Sequence, residues 1–145
     1  MKRILFLTLF LFLNSYILRA ECFDYRGEMS KIENYVTSGI KSLKKVRKTT
    51  KLEQAQQLID KAALQFEEAM SASVLAREFA QECSCGQGYS SAIVIHNALN
   101  DLLMLCQKAA DTGSLEVTKG VLKANETFTE QLLNAITEST SYCIE

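Results

Sequence analysis

The segment QECSCGQGYSSA, residues 81–92, separates two long amphipathic patterns and contains two cysteines one residue apart. The apolar residues before and after it recur with the spacing of α-helices. A turn in this segment reverses the chain and places Cys83 and Cys85 at one end of a helical pair. The partners of these two cysteines decide how the remaining helices are arranged.

The pattern before this segment predicts two helices. The first covers roughly residues 24–48, where apolar residues alternate in steps of four and three. The second covers roughly residues 51–82, and Thr50 with Glu53 forms an expected capping box at its start. Alanine recurs in it every seven residues, at Ala55, Ala62, Ala69 and Ala76. Alanine at this spacing predicts that a neighbouring helix approaches closely.

The pattern after the segment predicts two more helices. The third covers roughly residues 90–111, with Ser90 or Ser91 as its N-cap, and Gly113 follows it as a left-handed C-terminal residue. The fourth covers roughly residues 114–142. Its expected inward residues are Val117, Val121, Ala124, Phe128, Leu132 and Ala135.

Four amphipathic helices with short connections predict an all-α, up-down-up-down four-helix bundle. The chain contains no proline, which suits long uninterrupted helices. A dimerising helical hairpin is the alternative, since a single apolar seam fits that arrangement as well. The expected oligomeric state is therefore a monomer or a helical dimer.

The N-terminal residues have the pattern of a secretory signal peptide. A basic start, Lys2-Arg3, precedes an apolar run from Ile4 to Leu13, and a small residue, Ala20, follows later. The apolar run is shorter than the ~20 residues that span a bilayer. We expect residues 1–20 to be removed and residues 21–145 to form one bundle domain, periplasmic or secreted and not transmembrane after cleavage. An uncleaved anchor is the alternative.

Cleavage would make the protein more acidic than the full chain, whose net charge is −1. It removes Lys2, Arg3 and Arg19 from the 16 basic residues and none of the 17 acidic residues, which leaves a net charge of −4. Nucleic-acid binding proteins are usually basic because they neutralise phosphates. We therefore expect no nucleic acid among the partners.

Four cysteines are expected at the same end of this bundle, which we name the cysteine pole: Cys22, Cys83, Cys85 and Cys143. Export into an oxidising compartment favours two disulfides. A bond between Cys83 and Cys85 would close a small strained ring, so each is expected to bond to one terminal cysteine. The sequence leaves open which bonds to which. A zinc or copper site and a redox-active Cys-x-Cys pair are the alternatives.

Two further residues are candidates for chemistry inside the bundle. Cys106 is predicted to be a buried free thiol, with an intermolecular bond or a metal-ligand role as alternatives. His96 is the only histidine and lies at the border of the apolar face. It is a weak candidate for a haem or metal ligand, since bundles bind cofactors between helices. The sequence contains neither Cys-x-x-Cys-His nor paired Glu-x-x-His motifs, and we predict no cofactor.

A cluster of cations is expected at the opposite end, which we name the basic pole: Lys41, Lys44, Lys45, Arg47, Lys48 and Lys51. Cations at a helix C-terminus complement its dipole, which is a sufficient structural reason for them. The functional interpretation is contact with an anionic membrane surface or another polyanion. Separately, Asn125-Glu126-Thr127 is a glycosylation sequon, expected within the fourth helix.

The sequence has no phosphate loop, nucleophile elbow or metalloprotease motif. These observations predict an exported, non-enzymatic helical protein that binds a partner protein or an anionic surface. The alternative function is a periplasmic haem or metal carrier that uses His96, Cys106 or the cysteine pole.

Overall fold

The computed structural model describes the backbone of residues 2–144 and the side chains of residues 22–144. This part of the chain is helical and has no strand, which confirms the all-α class. Its helices are α1 (Lys2–Val46), α2 (Leu52–Glu82), α3 (Gly86–Ala110), α4 (Leu115–Ala124) and α5 (Glu126–Ser139). The predicted signal peptide, residues 1–20, lies outside the residues whose side chains are described.

Helices α1, α2 and α3 run back and forth between the two poles, while α4 packs mainly against α3 and α5 packs against both α1 and α3. At the basic pole, the Lys119 ammonium donates to the carbonyl of Thr49 at 2.6 Å. At the cysteine pole, the Tyr25 hydroxyl donates to the carbonyl of Ser139 at 3.2 Å. Within the described residues, no helix is both long enough and apolar enough to cross a bilayer.

The prediction of one continuous fourth helix is wrong, because Asn125 interrupts it. The Asn125 side-chain amide donates to the carbonyl of Val121 at 2.9 Å. The backbone amide of Asn125 donates instead to the carbonyl of Leu122, three residues back. An asparagine side chain that bonds to nearby backbone competes with the helical hydrogen bond at that position. The described residues therefore form five helices, one more than predicted.

The inward face of α4 and α5 also differs from the prediction. Of the six residues expected to face inward, Leu132 alone is buried, and Val117 is 52% exposed. The residues that are buried instead are Thr118, Leu122, Thr129, Leu132, Ile136 and Ser139. The polar ones are hydrogen-bonded; for example, the Thr118 hydroxyl bonds to the carbonyls of Ala109 and Ser114. A buried hydroxyl with partners costs far less than an unpaired one, so these positions are compatible with burial.

The predicted starts of the first and third helices are wrong, since α1 begins at Lys2 and not near residue 24. The start of the second helix is confirmed within one residue, but its predicted cap is wrong. Lys51, with no side-chain cap bond, precedes α2, so the Thr50–Glu53 capping box does not form. Helix α3 begins at Gly86, before the serines expected to cap it. Its N-cap is Cys85, whose sulfur accepts from the amide of Gly88 at 3.4 Å. The left-handed conformation of Gly113 is confirmed, with φ of 64°.

Helices α1 and α2 approach each other closely in the core. The predicted alanine stripe is fully buried, at Ala55, Ala62, Ala69 and Ala76. Gly39 of α1 faces the fully buried ring of Phe66, and a Cβ atom at Gly39 would lie 2.5 Å from the ring atom Cε1. The small residues on both helices therefore permit the approach that the alanine spacing predicted.

Candidate functional site

The cysteine pole contains two disulfides, Cys22–Cys83 and Cys85–Cys143. Their Cα–Cα distances are 5.5 and 5.6 Å, in the usual range. The bonds span sequence separations of 61 and 58 residues, and each contributes ~4 kcal/mol in the chain-entropy model. Both arrangements were open from the sequence, and this is the one that the fold adopts. With all four sulfurs in disulfides, this pole offers no thiolate to a metal.

The tight turn between the two cysteines depends on unusual backbone. Ser84 has φ of 60°, in the left-handed region, and lies between Cys83, which bonds to Cys22 of α1, and Cys85, which bonds to Cys143 after α5. Gly88 lies beneath the second disulfide. A Cβ atom at Gly88 would be 2.5 Å from Sγ of Cys143 and 3.0 Å from Cζ of Tyr25. Glycine is required there because the disulfide and the tyrosine ring occupy the space of a side chain.

Tyr25 closes the core below these disulfides. The side chain is fully buried, and burial, with a smaller contribution from Tyr142, raises its pKa to about 12. Its hydroxyl is therefore neutral and acts as the donor to the carbonyl of Ser139. This contact links the middle of α1 to the end of α5, so the aromatic ring has a structural role.

His96 is bonded to a neighbouring helix. Its Nδ1 lies 2.9 Å from the hydroxyl oxygen of Ser73, which donates its own proton to the carbonyl of Met70 at 2.6 Å. When the serine proton lies on the Met70 carbonyl, the serine oxygen accepts from Nδ1–H; the direction of this bond depends on the tautomer of His96. Among the residues with described side chains, no group of three or more His, Cys, Asp or Glu is placed to hold a metal ion. The contact observed for His96 is thus a link between α3 and α2.

Cys106 is a buried free thiol on α3. Burial is the main cause that raises its pKa to about 12, and the negative charge of Asp60 adds to the effect. Metal binding and nucleophilic attack both require the thiolate. At neutral pH this thiol is protonated and enclosed, so its environment favours a packing role.

All six cations predicted at the basic pole have exposed side chains. The Arg47 guanidinium forms an ion pair with the Glu126 carboxylate, at 2.5 Å. The hydrogen bond from Arg47 is the largest cause of the lowered pKa of Glu126. The positive charges of Arg47, Lys44 and Lys123 lower this pKa further, while burial opposes them. The carboxylate is therefore surrounded by cations from both α1 and α4.

Two cations of this pole are missing from the sequence prediction, Lys119 and Lys123. Lys119 reaches the carbonyl of Thr49, and Lys123 acts on Glu126 beside Arg47. Both lie on α4, about 70 residues from the basic run, and the local sequence around them contains no comparable cluster. Only the packing of α4 against α3, beside the turn that follows α1, brings them to the basic pole.

A small cleft lies beneath the ion pair, between α1, α3 and the junction of α4 with α5. Its apolar lining consists of Ile40, Leu43, Leu105 and Leu122. The free volume is about 20 Å³, which accommodates one water molecule. An organic ligand does not fit in this cleft, so a binding partner of this pole would contact its exposed surface.

The sequon asparagine, Asn125, lies in the turn between α4 and α5 and not within a helix as expected. Its side chain is half-buried, and its amide nitrogen donates to the carbonyl of Val121. The observed role of this asparagine is to end α4.

Comparison with known proteins identifies no relative: no protein-family model, no curated protein and no solved structure matches the chain. The functional argument therefore depends on the surface and the interior of the molecule itself.

Proposed function

We propose that this chain is an exported, non-enzymatic helical protein that binds a polyanionic surface through its basic pole. In this proposal α4 and α5 together take the place of the fourth helix of an up-down-up-down bundle. The contacts of Lys119 with Thr49 and of Ser139 with Tyr25, at opposite ends of the α4–α5 segment, support this description. The two disulfides support export, since such bonds persist in oxidising compartments.

The observation that carries the proposal is the convergence of two distant basic segments on one pole. The exposed run at the end of α1 is joined by Lys119 and Lys123 of α4. The carboxylates at the same end of the molecule are Glu53, Asp111, Glu116 and Glu126. The cations outnumber them, so the pole is positive on a protein that is acidic overall, and a local positive surface attracts polyanions.

The environments of His96 and Cys106 do not favour the carrier alternative. The Cys106 thiol is protonated and buried, and no group of three or more His, Cys, Asp or Glu among the described side chains is placed to hold a metal ion at His96. We therefore take the surface-binding function as the better supported of the two.

The test compares two triple variants of equal charge. Lys44→Gln/Lys45→Gln/Lys48→Gln changes the basic pole and keeps the Arg47–Glu126 ion pair. The control, Lys31→Gln/Lys61→Gln/Arg77→Gln, removes three cations elsewhere on the molecule. The measurements are the salt concentration that elutes each protein from immobilised heparin, and the binding of each protein to anionic vesicles at low salt.

We expect the basic-pole variant to elute at a lower salt concentration than the parent protein. At roughly 1 kcal/mol per cation near an anionic bilayer, its vesicle affinity should fall about 100-fold. The control should resemble the parent. Equal losses in both variants, or a parent protein that binds neither heparin nor vesicles at low salt, would contradict the proposal, since low salt screens the attraction least.

A further inference from the structure

We propose that the carboxylate of Glu126 is an internal competitor of the polyanion: it binds the Arg47 guanidinium, and the ligand must displace it to reach this arginine. This inference rests on the proposed function and adds to it the regulation of the same surface. Among the described side chains, the Arg47–Glu126 pair is the single ion pair at the basic pole. The contact is autoinhibitory, because it lowers the affinity of the pole for external anions.

The ion pair joins two segments that are far apart in the sequence. The guanidinium of Arg47 lies 2.5 Å from the carboxylate of Glu126, and the two side chains remain 40% and 33% exposed. Lys44 lines the same small cleft as these two residues. The hydrogen bond from Arg47 is the main cause of the lowered pKa of Glu126, and the charges of Lys44 and Lys123 contribute to it. The ionised carboxylate therefore lies among cations that an anionic group of a ligand would otherwise contact.

The fold keeps the carboxylate in this place. Glu126 is the first residue of α5, directly after the turn at Asn125. The hydroxyl of Thr129, a buried residue, donates to the carbonyl of Glu126 at 2.7 Å. Leu122, which precedes the turn, is buried as well. Because buried residues fix the backbone on both sides, the carboxylate has a high effective concentration at the arginine, and an external anion must compete with it.

This competition selects ligands of high charge density. The exposed lysines of the pole form no ion pair in the described part of the chain, so they attract the ligand first. A densely charged polyanion then gains the contact with Arg47, and this gain offsets the loss of an ion pair that is weak because it is partly exposed. A surface with few charges gains too little to displace Glu126. The pole should therefore discriminate against surfaces of low charge density.

The first experiment removes the competing charge. Glu126→Gln keeps the size of the side chain and frees Arg47. It should bind phosphatidylglycerol vesicles about fivefold more tightly than the parent, the effect of one additional cation at an anionic bilayer. It should also bind at a lower fraction of phosphatidylglycerol than the parent requires.

The matched control is Glu116→Gln. Glu116 is an exposed carboxylate of the same pole, and among the described side chains it forms no ion pair. The control should gain less than about twofold in vesicle affinity, because a carboxylate that contacts no cation acts on the ligand only through screened solvent. Far-UV circular dichroism checks that both exposed substitutions leave the helices intact.

The second experiment separates displacement from a general effect of charge. In the parent protein the contact with Arg47 requires the loss of an ion pair, so Arg47→Gln should weaken vesicle binding less than about twofold. In the Glu126→Gln background the arginine is free, and the same substitution should weaken binding about fivefold. Competition predicts this coupling between the two residues, whereas two independent charges would have additive effects.

The two proposals fail in different ways. If the basic-pole triple variant keeps its retention on heparin and its vesicle binding, the proposed function is wrong. If that variant loses affinity as expected but Glu126→Gln binds vesicles no more tightly than Glu116→Gln, the basic pole binds polyanions and Glu126 does not compete with them. An equal effect of Arg47→Gln in both backgrounds would also overturn the inference.

Discussion

Replacing Gly39 with alanine tests how closely α1 approaches α2. Alanine in place of glycine inside a helix stabilises it by up to about 1 kcal/mol, because glycine loses more backbone freedom on folding. At Gly39 the new Cβ would lie 2.5 Å from Cε1 and 2.8 Å from Cζ of Phe66. The ring is fully buried and cannot move without displacing its neighbours. Overpacking of this kind costs roughly 1–3 kcal/mol, so with the gain from alanine subtracted we expect a net loss of up to about 2 kcal/mol.

The same helix offers a matched control at Gly27. A Cβ atom there meets nothing within 4 Å, and the position is exposed. Gly27→Ala should therefore raise the free energy of unfolding by up to about 1 kcal/mol. Urea unfolding followed by far-UV circular dichroism measures both variants, with an unchanged m-value as the sign that only stability has changed.

A double-mutant cycle identifies Phe66 as the cause. Phe66→Leu removes the ring, and Gly39→Ala in that background should cost at least about 1 kcal/mol less than in the parent protein. If Gly39→Ala stabilises the parent as much as Gly27→Ala does, or if the cycle shows no coupling, the close contact between α1 and α2 is not the reason for glycine at this position.

Three further predictions concern the cysteine pole and the core. Gly88→Ala should destabilise the protein by roughly 1–3 kcal/mol through its clash with Cys143 Sγ, whereas Gly86→Ala, with open space around it, should not, as urea unfolding would show. Replacing Cys85 and Cys143 together by serine should cost ~4 kcal/mol and leave one titratable thiol after unfolding, that of Cys106; three titratable thiols would contradict the observed Cys22–Cys83 pairing. Cys106 should resist alkylation until the protein is unfolded. Because its pKa rises from 9.0 to about 12 on folding, the parent should lose about 1 kcal/mol of unfolding free energy between pH 9 and 10 relative to Cys106→Ala, since only the unfolded thiol releases its proton there. A parallel pH dependence of the two proteins would refute this.

The sequence was informative wherever a local pattern has one structural solution. A seven-residue alanine spacing fits a helix with a close neighbour, and the structure buries all four of those alanines. Gly113 was predicted to be left-handed because few other residues adopt that conformation cheaply, and it is. The number of disulfides was also predictable. Because successive helices run in opposite directions, four cysteines lie at the same end of the molecule. The identity and spacing of nearby residues suffice for such inferences.

The remaining features depend on contacts between distant residues. The sequence is compatible with both cysteine pairings. Only the packing of the helices brings Cys22 close to Cys83 and Cys143 close to Cys85. The hydrophobic pattern of the fourth helix indicates that Val117 faces inward, yet the structure buries Thr118 because its hydroxyl finds the carbonyl of Ala109 on α3. That partner lies on another helix, so no local pattern contains it.

The surface on which the functional proposal depends has the same origin. The run from Lys41 to Lys51 is visible in the sequence, but Lys119 and Lys123 join it only because α4 packs against α3 beside the turn that follows α1. The turn at Asn125 likewise depends on which group donates to the carbonyl of Val121. The side-chain amide of Asn125 does so, and its backbone amide donates to the carbonyl of Leu122. The amino-acid sequence by itself determines which groups are available for such bonds. Which of the competing bonds form is decided by the free energy of the whole packed structure, because each helix is oriented by all of its neighbours at once.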